Sequence, residues 1–246
     1  YASIISSRHR VAGRTGAGAV MGSKNLKAVA IRGLKGVPIF DRKAFFKVID
    51  AVWAAHEKMN RARDGQKIYG TLRATSFYQH LGGNAYRNDQ ASQLPADKAD
   101  GLGHRWYVQN MQASFDTCSP GCTWGCDGRY KIKGSESPAA QKLAGVSGYK
   151  PEYLAVASLG IMLDIADMPA VCHLNDKVRK YGMDVMEVGA CIGMLMELWQ
   201  RGIITEKDTQ EWLGRPLALE WGSIKAVEKI IDSIALQDNK LGALLK

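Results

Sequence analysis

Three cysteines, Cys118, Cys122 and Cys126, fall within nine residues in the segment Cys-Ser-Pro-Gly-Cys-Thr-Trp-Gly-Cys. Thiolates at this density are soft metal ligands, and the intervening proline and glycines let the backbone wrap a compact object. The segment suits an iron-sulfur cluster whose fourth ligand is distant in sequence. Zinc is the competing reading. It needs another ligand close by, and the nearest histidine, His104, lies 14 residues before Cys118, outside the usual paired spacing. Three unligated buried thiols are the bland alternative, but a glycine-rich segment without helical period is poor core material. Cys172 and Cys191, by contrast, lie in apolar helical contexts and read as core.

A second chemical signal is the run from Gly13 to Asn25. Glycines at positions 13, 16, 18 and 22 allow backbone N–H groups to approach an anion, and Arg8, Arg10, Arg14 and Lys24 surround them with positive charge. A phosphate-bearing ligand is the natural guest. The run fits neither the Walker pattern nor the dinucleotide fingerprint, which requires a helix after it, because β-branched Val29 and Ile31 predict a strand over Leu26–Gly33 instead.

The elements that must position these groups are legible in part. A short strand is expected at Tyr1–Ile5 and a boundary near Gly36–Pro38. Asp41 is an N-cap candidate for a helix carrying Phe45, Val48, Ile49, Val52 and Trp53 at helical spacing. Residues 65–112 read as loops with short helical pieces that line a surface or a site. Pro151 suits the first turn of a helix running toward Ala166. Val188, Cys191, Ile192, Leu195, Met196 and Trp199 predict an amphipathic helix over Met186–Arg201, stopped by Gly202, and Ile224, Val227, Ile231 and Ile234 predict another. His56, His80 and His173 have no second ligand at metal spacing. The 246 residues carry 46% hydrophobic and 23% charged side chains, which excludes wholesale disorder and points to a folded, soluble chain. Lys and Arg exceed Asp and Glu by 33 to 24, a surplus that faces solvent, an anionic partner or an anionic cofactor. No apolar run approaches a membrane span and no signal peptide opens the chain, so the expected compartment is the cytoplasm. The chain lacks an initiator Met and ends inside an apolar helical pattern, so it reads as cut at both ends.

The string from Arg10 to Gly33, RVAGRTGAGAVMGSKNLKAVAIRG, resembles the signature of the tungsten-dependent aldehyde ferredoxin oxidoreductases. Further matches follow in that family's order: YGT at Tyr69–Thr71, RNxQ at Arg87–Gln90, the cysteine cluster, PEY at Pro151–Tyr153, and YGMD at Tyr181–Asp184 ahead of the helix ending in MELWQRG. The resemblance implies an α+β fragment, with 1–37 closing a β-rich pterin-binding domain and 38–246 forming a mainly helical one, inside a chain of about 600 residues. It implies a tungsten or molybdenum bis-pterin centre. Arg10, Ala12, Gly13, Arg14, Thr15, Gly16 and Gly18 would hold the phosphate end of one pterin with a bridging magnesium ion. Gly182, Met183 and Asp184 would contact a pterin ring, Cys118, Cys122 and Cys126 would ligate a 4Fe-4S cluster, and Glu152 would be the acid or base near the metal. Two positions depart from the family: the first cysteine pair has an extra residue, and Arg179 stands where the pterin motif opens with Asp. A fourth cluster cysteine, a second pterin motif and a metal-proximal histidine are expected beyond Lys246.

The implied reaction oxidises a small aldehyde to a carboxylic acid and passes electrons to ferredoxin or an iron-sulfur electron-transfer subunit, possible homo-oligomers included, with no nucleic acid and no membrane span. The alternatives are a low-potential reductase of the benzoyl-coenzyme A dearomatising type and, from another class, a zinc-stabilised binding module. On the bland side, Glu152 is a first-turn carboxylate favouring a helix dipole, and Asp184 is an N-cap, a role compatible with pterin contact.

Overall fold

The computed structural model describes residues 1–6, 9–119 and 122–245, with residues 60–63 described through their backbone alone. The chain opens with an antiparallel hairpin in which β1 (Ile4–Ser6) pairs with β2 (Arg10–Ala12), Ile5 opposite Val11. The glycine run then turns through a 3-10 segment (Arg14–Gly16) into a short helix, α1 (Ala17–Ser23). This corrects the expected order. A helix follows the loop, and the strand predicted over 26–33 does not form. Residues 26–33 pair with no described strand and stand in solvent, with Val29 66% and Ile31 89% exposed. β-branched residues make a strand only where a neighbouring ladder takes their backbone groups, and here none does.

Asp41 caps α2 (Arg42–Lys58) as expected, accepting the Ala44 amide at 2.9 Å. No side chain of α2 is buried, and Phe45, Val48, Val52 and Trp53 all remain exposed. The short helical pieces expected over 65–112 follow as α3 (Asn60–Tyr69), α4 (Arg73–Leu81), α5 (Ala96–Ala99) and α6 (His104–Asn110), joined by 3-10 turns at Gly70–Leu72 and Asp100–Leu102. The core starts here, with Leu72, Leu102, Tyr107 and Met111 fully enclosed.

A three-stranded antiparallel sheet comes next, in the order β3 (Gln112–Asp116), β4 (Asp127–Lys131), β5 (Ser147–Tyr149), with α7 (Pro138–Lys142) between the last two. The cysteine segment is the loop of the β3–β4 hairpin. The rest is helical: α8 (Tyr153–Val156) running into a π-helical turn (Ala157–Ile161), α9 (Met168–Lys180), α10 (Val185–Gln200), α11 (Glu206–Leu213), α12 (Ile224–Leu236) and α13 (Lys240–Leu244). The two helices predicted from their apolar period are therefore present. Val188, Ile192 and Met196 of α10 meet Val171 and Val178 of α9 and Val227 and Ile231 of α12 in one core. Gly189 lets α10 lie directly on the π turn, since a Cβ there would sit 2.6 Å from the Ser158 carbonyl oxygen. Pro151 falls outside α8, which begins at Tyr153 with Glu152 in the N-cap position. The mixture of helices and small sheets is the expected α+β class, and no described helix is long and apolar enough to cross a membrane.

Candidate functional site

Four elements far apart in sequence meet at Arg10. From the start of β2, its Nη2 donates to Asp127 Oδ2 at 2.9 Å and its Nη1 donates to Glu152. Asp127 opens β4, directly after Cys126, and Glu152 precedes α8. The Thr71 hydroxyl, on the 3-10 turn after α3, donates to the second oxygen of Glu152, and the Tyr153 amide donates to Thr71 Oγ1 at 3.0 Å. The Glu152 side chain makes no cap bond to its own helix. Its carboxylate is spent on Arg10 and Thr71 instead, so a role confined to the helix terminus does not describe it. His9 Nε2 lies 2.8 Å from the Arg10-bound oxygen of Asp127, and its ring stacks on Tyr149 with centroids 3.7 Å apart.

The electrostatics follow from this packing. Burial pushes the Asp127 carboxyl up, but the Gly128 amide and the Arg10 and His9 side chains outweigh it and hold the group below the usual carboxylate range. Burial lowers the His9 pKa, with Arg10 and Arg179 adding to the effect and Asp127 opposing it.

A second junction ties the glycine loop to the 182–184 motif. Asp184 caps α10, the bland alternative read from sequence, with Oδ1 accepting the Met186 and Glu187 amides at 3.0 and 3.1 Å. Its Oδ2 faces Gly13, where an added Cβ would lie 2.1 Å away. The Ser3 amide donates to the Gly182 carbonyl and the Asp184 amide to the Tyr1 carbonyl, both at 2.8 Å, with Ala2 bridging Met183. Gly13 is thus buried against the motif, whereas Ala12, Arg14, Thr15 and Gly16 form an exposed rim and Gly18 is half-buried. Thr15 and Gly16 both adopt left-handed backbone, φ 73 and 75, a sharp turn that is costly at a β-branched residue. Arg8 lies outside the described residues.

In the cysteine loop Cys118 is exposed, and Cys122 and Cys126 are half-buried. His56, read as bland from sequence, supports the loop from α2: its Nδ1 lies 2.7 Å from Thr123 Oγ1 and its ring meets Trp124 edge-on at 5.3 Å. Cys122, Trp124 and Cys126 line an open pocket of about 440 Å³ together with Gln66 and Arg73. Burial pushes the Cys126 thiol up, with Glu152 and the other two cysteines adding to this and Lys150 opposing. Among the described residues no three His, Cys, Asp or Glu side chains converge as a metal site, and Pro120 and Gly121, between the first two cysteines, are outside them. Cys172 is buried as expected and Cys191 half-buried.

Sequence reasoning missed His9, Asp127 and Lys150. Two of these had an available signal, because Asp127 follows the third cysteine and Lys150 stands two residues before Glu152. Four nitrogens here are buried without a hydrogen-bond partner: His9 Nδ1, Arg10 Nε, Lys150 Nζ and Arg179 Nη1. Arg10 Nε, Lys150 Nζ and Arg179 Nη1 are donors, and donors left without acceptors are the complement of an anion. The residues therefore fit a phosphate-bearing pterin and an anionic thiolate cluster. Arg179, the departure from the family motif, also lines a cavity of about 280 Å³ with His9, Arg129, Tyr149, Asp176 and Lys180.

Comparison with known proteins identifies the family. Residues 47–245 match the family described as aldehyde ferredoxin oxidoreductase, domains 2 and 3, and residues 1–33 match its N-terminal domain. A tungsten-containing aldehyde ferredoxin oxidoreductase of Pyrococcus furiosus is 30% identical over 97% of the chain and 36% of the relative. Its namesake in Thermococcus kodakarensis is 29% identical over 96% of the chain and 36% of the relative. An aliphatic sulfonate oxidoreductase, WOR-like subunit, of Pyrococcus furiosus is 28% identical over the whole chain and 36% of its own length. The chain thus spans about a third of the length of these relatives, and it belongs to the aldehyde ferredoxin oxidoreductase family.

Proposed function

We propose that the chain is the part of a tungsten- or molybdenum-dependent aldehyde ferredoxin oxidoreductase that seats one pterin end and three ligands of a 4Fe-4S cluster. The whole enzyme would oxidise an aldehyde with water to a carboxylic acid, releasing two protons to solvent and two electrons for ferredoxin, and the bound cluster would supply the electron path. The observation that carries this reading is the Arg10 bridge. It joins the strand leading into the glycine loop to Asp127 beside the cysteines and to Glu152.

The bound metal-pterin supplies the two-electron chemistry, and the protein supplies position and proton transfer. The glycine loop, with its left-handed turn at Thr15 and Gly16, would hold pterin phosphate through backbone groups with magnesium, and Gly182, Met183 and Asp184 would hold the ring. Cys118, Cys122 and Cys126 would hold the cluster. Arg10 and Thr71 each occupy one lone pair on a Glu152 oxygen, leaving others free to take a proton from the water that adds to the substrate. The Glu152 side chain is 34% exposed, so it remains reachable.

Glu152→Gln in the full-length enzyme is expected to lower aldehyde-dependent dye reduction by about 100-fold or more, the usual scale of general acid–base catalysis, with tungsten and iron contents unchanged. Full activity in that variant would sink the role. Zinc in place of iron in the purified protein would sink the wider reading.

A second reading concerns the substrate class and is favoured by Arg179. The cavity holding His9, Arg129, Arg179 and Lys180 against the single carboxylate of Asp176 suits an anionic group, and one relative is named for sulfonates. Comparing kcat/KM for a sulfonate-bearing substrate with that for a neutral aldehyde of equal length separates the two.

A further inference from the structure

Lys150 is 5% exposed, and its Nζ is buried with no hydrogen-bond partner. Its backbone is fixed beside β4, the amide donating to the Gly128 carbonyl at 2.9 Å. The side chain reaches the 3-10 turn at Gly70, where an added Cβ would lie 2.8 Å from Lys150 Nζ and 2.8 Å from the Cys126 carbonyl oxygen. Gly70 therefore keeps open the space in which the ammonium rests against the cysteine loop. Neither Glu152, bound by Arg10 and Thr71, nor Asp127, bound by Arg10 and His9, accepts a hydrogen bond from the ammonium. A buried ammonium without an acceptor is among the more costly arrangements in a folded protein, and an anion beside it relieves that cost. Of the three cysteines, Cys126 is the one whose backbone meets Gly70 together with Lys150 Nζ.

We propose that Lys150 is a positioning residue for the cluster, its ammonium donating a charge-assisted hydrogen bond to sulfur on the Cys126 side and raising the cluster's reduction potential. This rests on the reading of Cys118, Cys122 and Cys126 as ligands of a 4Fe-4S cluster. Thiolate-bound clusters are anionic and gain a further negative charge on reduction. A fixed cation and an N–H donor at one sulfur therefore favour the reduced form, and hydrogen bonds to sulfur are one of the levers that set cluster potentials.

The test uses full-length, metal-loaded enzyme and follows the EPR signal of the reduced cluster. In Lys150→Met the reduced-to-oxidised ratio at a fixed ambient potential is expected to fall about tenfold, a midpoint about 59 mV lower for a one-electron couple. Lys150→Arg, which keeps the charge and a donor, is expected to stay within about threefold of the parent. In the unsubstituted enzyme grown with isotope-labelled lysine nitrogen, pulsed EPR is expected to show a lysine coupling to the reduced cluster, and this measurement decides alone if Lys150→Met does not hold its iron. A clear cluster signal without that coupling, or an unchanged midpoint in Lys150→Met at full iron content, overturns the proposal for Lys150 alone. Unsubstituted enzyme lacking iron and the cluster signal overturns the cluster reading and this inference with it.

Discussion

Asp164 shows how much a single residue outside the proposed site is asked to hold. It adopts a left-handed backbone (φ 60), and its carboxylate accepts Arg87 Nη2 and Lys98 Nζ, both at 2.6 Å, with its side chain only 4% exposed. Burial pushes this carboxyl up, but Lys98 and Arg87 outweigh it and hold it below the ordinary carboxylate range. A carboxyl depressed in the folded state contributes stability above its unfolded value, near about 3.9, and loses it as pH falls through the folded value. Asn tolerates left-handed backbone, so Asp164→Asn isolates the charge. The variant is expected to lose about 2 kcal/mol at neutral pH, toward the lower end for charged hydrogen bonds because Arg87 and Lys98 are each about a third exposed, and to flatten the acid limb below about pH 4. Denaturant titrations at several pH values would read both effects. Arg87 belonged to a motif visible in the sequence, but its partner lies 77 residues away, and only folding reveals the pair. The same holds for Arg10 and Glu152, which are individually legible as candidates while their hydrogen bond is not. Asp184, whose cap is local to its own helix, could be read directly.

At the scale of elements, legibility followed the range of the forces involved. The helices α10 and α12 carry their apolar period on one face and bury it, so the period located them. The failure over 26–33 has the opposite cause, because a strand is made by its neighbour and not by its own β-branched residues. The hairpin at the chain's start illustrates the same dependence from its successful side, since it is held by contacts with the motif before α10. Gly13 has φ −92 and ψ −58, a conformation open to alanine, so Gly13→Ala tests the contact with Asp184 and not the backbone. It is expected to cost about 1–3 kcal/mol, the range for overpacking. In an Asp184→Ser background, which keeps an N-cap oxygen but shortens the side chain, the added cost of Gly13→Ala should fall by about 1 kcal/mol or more. Equal costs in both backgrounds would show that the crowding is not with Asp184.

For the whole molecule, the segment between α1 and α2 matters most. Residues 24–40 carry no regular helix or strand and are almost entirely exposed, and Lys24, Lys27, Arg32 and Lys35 lie within them. Brief trypsin treatment is therefore expected to cut here first, giving two bands on a denaturing gel. On a native gel or a sizing column the pieces should still travel together, because residues 1–23 are held by the Ser3–Gly182 and Tyr1–Asp184 backbone bonds and by the Arg10 bridge. Prompt separation would show that the covalent link, and not these contacts, keeps the hairpin in place. If the pieces stay together, the exposed connector makes chain continuity a convenience of synthesis. A peptide ending near Ser23 and a partner beginning near Asp41 would carry complementary parts of one assembly, and the glycine loop proposed to seat pterin could be installed, exchanged or chemically labelled by fragment complementation.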